Sequence, residues 1–281
     1  MHTRFSITIA TVAALVVLSH SAFAQLATPN ASGAAIGQIQ INASDVAAQS
    51  RFWANLGGTI VEREQITMAQ FPGIYVWLRQ QASTGGSVGS TINHVGFYVR
   101  DFDAAVARWK AAGLHWEPVT NPSVGQGFLM GPDSVRVEIY EDKSISTPIQ
   151  MHHIHMMVPN PADAQTWYVQ HFGAVAGTRR GGVGLVRSQF ATVNVPGTEI
   201  TLSQSDVPQM PTKGRAVDHI GFEVKDIDVF VARLTAGGVK TDGEVRNSAH
   251  ASGLRSVYIT DPWGTEIEIT QGLAAPPAAG R

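Results

Sequence analysis

Ile92-Asn93-His94-Val95-Gly96-Phe97-Tyr98-Val99-Arg100-Asp101 is answered later in the chain by Val217-Asp218-His219-Ile220-Gly221-Phe222-Glu223-Val224-Lys225-Asp226. Each copy sets a histidine at the head of an expected β-strand and an aspartate where that strand gives way to a helix. Two degenerate copies begin at Gln38 and at His153. Self-similarity on this scale describes repeated supersecondary units, and it takes precedence over any local reading.

Behind each strand comes the same helix signature. Asp45, Asp101, Asn160 and Asp226 stand where an N-cap is required, and apolar residues then recur at three- and four-residue intervals. A glycine (Gly57, Gly113, Gly173 or Gly238) stops the pattern. Short runs rich in β-branched and aromatic residues follow, broken by Gly or Pro, such as Val135–Tyr140 and Ile267–Ile269. Each unit therefore reads as βαβββ, with one open sheet face that it cannot bury alone. The four units are expected to form two pairs, a first domain over 36–142 and a second over 150–273, separated by Glu141–Met151.

The ends of the chain read differently. Residues 1–24 combine Arg4, an apolar run from Ser6 to Ser19 and Ala22-Phe23-Ala24. That is the layout of a cleaved secretory signal, with an apolar core short for a bilayer span. Export to a bacterial periplasm or the medium is expected, with no membrane segment after cleavage. Residues 25–35 are read as a flexible leader and 274–281 as a disordered tail. A net charge of −2 offers no basic face for nucleic acid. The chain has no cysteine, so any metal must sit on nitrogen and oxygen ligands.

The repeated βαβββ unit, the strand-head histidines and Asp261-Pro262-Trp263-Gly264-Thr265-Glu266-Ile267-Glu268 resemble the vicinal oxygen chelate superfamily. That superfamily includes glyoxalase I, bleomycin-resistance proteins and extradiol dioxygenases. The resemblance covers nearly all of the chain beyond the signal and is strongest over 92–140 and 217–270. It implies an α+β fold of four βαβββ modules in two tandem glyoxalase-like domains, each a cupped eight-stranded sheet around one divalent cation. It also implies a small-molecule substrate with adjacent oxygens and a monomer or homodimer.

Ligand candidates fall on the first and last strands of the units. In the second pair these are His153, His219 and Glu268, and alignment puts Thr201 at the fourth position. Glu199 lies two residues earlier, on the same strand face. His155 shares the face of His153 and could compete with it, whereas His152 should point away. Two imidazoles and a carboxylate suit Zn, Mn or Fe(II) with positions left for substrate. The first pair offers Gln38, His94 and Glu138, with Trp77 near the fourth position. It reads either as a second site or as a scaffold.

The reaction stays open at this level. His250, Val257-Tyr258, Asp261-Pro262 and Glu268 nearly reproduce the extradiol dioxygenase signature, from which Ser248 departs. By that resemblance Tyr258 and His250 would donate hydrogen bonds to bound substrate or oxygen. Against it, the stretch Val186–Phe190 lacks an acid/base histidine and Gln189 cannot exchange protons. Glyoxalase chemistry would need Glu199 to replace Thr201 as a second carboxylate. The alternative is a metal-free periplasmic binding or sequestration protein, with a cavity lined by Trp53, Trp77, Trp116, Trp167 and Trp263.

Overall fold

The computed structural model describes residues 26–117, 125–181 and 188–273. The expected signal peptide and tail, together with Val186, Arg187 and the Gln189 side chain, lie outside the described residues. All four βαβββ modules are present. Module one comprises β1 (Ala34–Ala43), α1 (Val46–Leu56), β2 (Thr59–Arg63), β3 (Ile66–Phe71) and β4 (Ile74–Gln80). Module two comprises β5 (Ile92–Val99), α2 (Phe102–Ala111), β6 (His115–Trp116), β7 (Gln126–Met130) and β8 (Arg136–Glu141). Module three comprises β9 (Ile149–Val158), α3 (Pro161–Phe172), β10 (Val175–Gly181), β11 (Ser188–Val195) and β12 (Thr198–Gln204). Module four comprises β13 (Val217–Val224), α4 (Ile227–Ala236), β14 (Arg246–Asn247), β15 (Arg255–Thr260) and β16 (Glu266–Gln271).

The caps form as the sequence implies. Asp45, Asp101, Asn160 and Asp226 each accept a backbone N–H of the first turn of their helix. The helices end on glycines at positive φ, Gly57 at 129° and Gly173 at 62° among them.

The modules build two eight-stranded mixed sheets, and the choice of partner differs from the expected one. One sheet runs β14-β15-β16-β13-β1-β4-β3-β2 and joins module one to module four. The other runs β10-β11-β12-β9-β5-β8-β7-β6 and joins module two to module three. The stretches 36–142 and 150–273 are therefore each half of both sheets. The segment expected to lie between separate domains instead connects neighbouring modules of one sheet. It is pinned there by Asp142 N–H to Val99 O (2.9 Å) and Arg100 N–H to Pro148 O (3.2 Å).

The two other inter-module connections cross between the sheets side by side. Thr84 N–H donates to Gly214 O and Ala216 N–H to Gly85 O, both at 2.8 Å, and Thr91 N–H donates to Met210 O at 3.0 Å. The back faces of both sheets and all four helices share one apolar core, in which Phe71 meets Phe97 at 4.8 Å and Phe172 meets Phe222 at 4.0 Å. The leader is also corrected. Leu26 is buried, and the Asn30 amide donates to Phe172 O and Gly173 O at 3.0 Å, so residues 26–33 are packed rather than free. No helix among the described residues is long and apolar enough to cross a membrane.

Candidate metal centre

The centre of each sheet is an antiparallel pair of first strands, and each pair carries two bulges. Between β5 and β9 the register steps over Asn93 and over His152. Between β1 and β13 it steps over Gly37 and over Asp218. A bulge sets an extra residue beside its neighbour instead of on the opposite face. Asn93 can thus place Oδ1 at 2.8 Å from His94 Nδ1. His152 turns its ring onto Tyr98, with centroids 3.9 Å apart, and its Nδ1 to 3.1 Å from His153 Nδ1. The expectation that His152 points away fails for this reason.

The glycine of each His-x-Gly motif has a steric purpose. Gly96 lies opposite His153, and a Cβ there would stand 2.1 Å from His153 Cε1. Gly221 lies opposite Gln38, where a Cβ would stand 2.2 Å from Gln38 Cγ. Module two thus makes room for a side chain of module three, and module four for one of module one.

In the sheet of modules two and three, His94, Glu138 and His153 converge below the surface. They are 5%, 4% and 0% exposed. His94 Nε2 lies 3.0 Å from Glu138 Oε2, His153 Nε2 lies 3.3 Å from the same oxygen, and the two nitrogens are 3.3 Å apart. A tetrahedral ion with bonds of about 2.0–2.1 Å needs ligand atoms about 3.3 Å from one another. The three atoms already span one face of such a polyhedron. His155 adds a nitrogen, and the ligand atoms of all four residues lie within 4.8 Å of one another. Its Nε2 is 2.7 Å from Ser203 Oγ, while its buried Nδ1 finds no partner.

The protonation states suit a cation. Burial alone would raise the Glu138 pKa, but hydrogen bonds from His153 and His94 outweigh it and hold the carboxyl well below the usual carboxylate range. Burial pushes His153 and His155 down, toward neutral imidazole with a free lone pair. Because Asn93 Oδ1 can only accept, it fixes a proton on His94 Nδ1, and an ion bound at Nε2 would take the place of the hydrogen bond to Glu138. Gln126 steadies the other Glu138 oxygen at 2.7 Å. These residues fit a divalent ion.

The sheet of modules one and four is built differently at the equivalent points. His219 Nδ1 lies 2.7 Å from Asp218 Oδ1, and its Nε2 lies 3.4 Å from Glu268 Oε2. The Gln38 amide donates to the same Glu268 oxygen. Burial disfavours a charged His219, but the hydrogen bonds to Asp218 and Glu268 prevail and lift its pKa to about 9. An imidazolium therefore already balances the carboxylates. Trp77 stands in register beside Gln40, where Thr201 stands beside His155 in the other sheet. Over this floor opens a cavity of about 1050 Å³, whose lining includes Gln40, Trp77, Tyr258, His250 and Glu268.

Residues 150–269 match the Glyoxalase/Bleomycin resistance protein/Dioxygenase superfamily. The chain also has the fold of glyoxalase I from Zea mays, at TM-score 0.66 and 14% identity over 86% of this chain and 93% of that one. A putative dioxygenase from Bacillus subtilis subsp. subtilis str. 168 has TM-score 0.63 and 14% identity, covering 90% of this chain and 87% of its own. No curated protein matches the chain. The family match thus covers the second half of the chain, and the two structural likenesses carry the fold over most of its length.

The structure distributes the expected site residues over two places. His153 joins His94, Glu138 and His155 in one sheet, while His219 and Glu268 lie in the other, so the expected three-ligand set is divided. The physical reason is the pairing of modules: the first strand of module three faces module two. Glu199 goes with His153, beside it in register. There it binds Arg179 Nε at 2.9 Å and accepts the Thr201 hydroxyl at 2.7 Å, so it is engaged in an ion pair. Tyr258 and His250 stay with Glu268. Tyr258 pairs with it across β15 and β16, and its ring lies 5.3 Å from that of His219. His250 is an exposed cavity-lining loop residue, 3.4 Å from Gln65 Oε1. Of the five tryptophans expected to line a cavity, Trp77 does so, while Trp53 is wholly in the core. The sequence reading missed Arg179 and Gln126 as supports.

Proposed function

We propose that the chain is a divalent-metal enzyme whose centre is His94, Glu138 and His153, with His155 beside them. Its substrate class is a small molecule with two neighbouring oxygens. The single observation carrying this reading is the triangle of ligand atoms at 3.0, 3.3 and 3.3 Å between two buried imidazoles and one buried carboxylate. Two His and one Glu suit Zn, Mn or Fe(II), and such an ion would act as a Lewis acid toward adjacent substrate oxygens.

The chain's own residues supply the rest. Asn93 and His152 hold the outer nitrogens of the two ligand imidazoles, and Gln126 holds the free oxygen of Glu138. Arg179 ties Thr201 and Glu199 together, which leaves a hydroxyl rather than a carboxylate at the fourth strand position. The Tyr140 hydroxyl accepts from Gln126 at 2.9 Å, and burial followed by the nearby Glu138 charge pushes its pKa up, so it stays a neutral donor. The two-His-one-Glu set favours the dioxygenase-like side of the superfamily over the glyoxalase-like side, which calls for a second carboxylate.

Cobalt(II) substitution tests the reading. After chelation and reloading, the visible Co(II) bands should shift when catechol is added at millimolar concentration. The shift should vanish in Glu138→Ala. Bands indifferent to catechol in the wild type would reject a substrate with adjacent oxygens.

A further inference from the structure

We propose that the cavity over modules one and four is a second, metal-independent binding site, and that it takes an organic anion with a flat, unsaturated body. The inference does not rest on the metal centre, which belongs to the other sheet.

Four observations carry it. First, the cavity is about 1050 Å³, large enough for an organic molecule rather than an inorganic ion alone. Second, every carboxylate lining it already has a cationic partner. His219 lies between Asp218 at 2.7 Å and Glu268 at 3.4 Å, and Lys213 reaches Glu266 at 2.8 Å and Asp242 at 3.5 Å. Third, Arg79 and Arg246 also line the cavity, and neither has a carboxylate within salt-bridge distance among the described residues. Fourth, Gln40 is 2% exposed and lines the cavity, and its Nε2 finds no acceptor.

The unused groups are thus donors: two guanidiniums and a buried amide nitrogen. A buried donor without a partner costs about 1–3 kcal/mol, which a ligand's oxygen would offset. Guanidiniums are matched in shape by carboxylates and phosphates. The floor between them offers aromatic side chains, Trp77 and Tyr258, against which a flat body can pack. Burial, with the adjacent Glu268 charge, pushes the Tyr258 pKa up, so its hydroxyl remains protonated. The position that carries Thr201 beside His155 in the other sheet is here a tryptophan beside Gln40, which supplies that aromatic surface.

Calorimetric titration of the full chain with benzoate, phenyl phosphate and benzyl alcohol tests the proposal, before and after treatment with EDTA. At least one of the two anions should bind with Kd below about 1 mM, and benzyl alcohol at least about tenfold more weakly. Whichever anion binds more tightly identifies the head group. Arg79 and Arg246 are exposed and safe to truncate, and Arg79→Ala and Arg246→Ala should each weaken anion binding about fivefold or more. EDTA should leave the affinity unchanged, whatever it does to the other sheet. Equal binding of benzyl alcohol, indifference to both arginine variants, loss of binding with EDTA, or failure of both anions to bind would each overturn it.

Discussion

Asn93 and Asp218 occupy the same place in the repeat, one residue before a strand-head histidine, and their difference gives the two sheets different chemistry. Each is a bulge residue whose side-chain oxygen takes the Nδ1 proton of its neighbour. The neutral amide brings no charge to His94, the proposed ligand. The carboxylate, helped by Glu268, makes His219 a cation. The consequence is a pH dependence of stability. The folded pKa of His219, about 9, is above its unfolded value of 6.5. Its contribution is therefore complete below about pH 6.5 and is lost as pH rises through about 9. The melting temperature of the wild type should fall over that window. His219→Gln should melt lower at pH 6.5 and show a smaller fall. Identical slopes in calorimetric scans would remove the imidazolium from the account. The candidate residues were legible in the sequence because His94, His153, His219, Glu138 and Glu268 all stand at equivalent points of the repeat. Their grouping was not legible, because spacing along a chain does not say which first strand lies against which.

At the level of strands and helices, much was readable. The cap residues, the glycine stops and the βαβββ order depend on local chemistry, and local chemistry is written locally. The bulges were not readable, since an extra residue shows only against a partner strand. Without them His152 would point away from His153, and period-two alternation leads to that wrong conclusion. The same pairing explains Gly96, whose hydrogen side chain leaves room for the His153 ring. Gly96→Ala places a methyl 2.1 Å from His153 Cε1 and 2.2 Å from Nδ1. Such overpacking should cost about 1–3 kcal/mol. It should also weaken metal binding at least about tenfold, because the displaced ring is one of the ligands proposed for the ion. Denaturant melts and a competitive chelator titration read the two effects. Unchanged metal affinity would show that His153 is not positioned through this contact.

Across the whole molecule, the first and last modules share one sheet and the two middle modules the other. The open edge of every module is similar, so hydrophobic alternation cannot choose among partners, and a short polar connection such as 142–148 looks like a domain boundary. The halves 26–144 and 145–273 should therefore not fold as separate monomeric domains. Each alone would expose two unpaired first strands, whereas co-expression should restore a single cooperative melt. Independent cooperative melting of monomeric halves would contradict the pairing. The central claim, that a divalent ion belongs between modules two and three, is most directly tested by metal stoichiometry after chelation and zinc reloading. The expected result is one equivalent retained by the wild type and by His219→Ala, and less than about a tenth of an equivalent by His153→Ala and Glu138→Ala under the same competing chelator. Zinc that is lost with His219 but kept without His153 would contradict it.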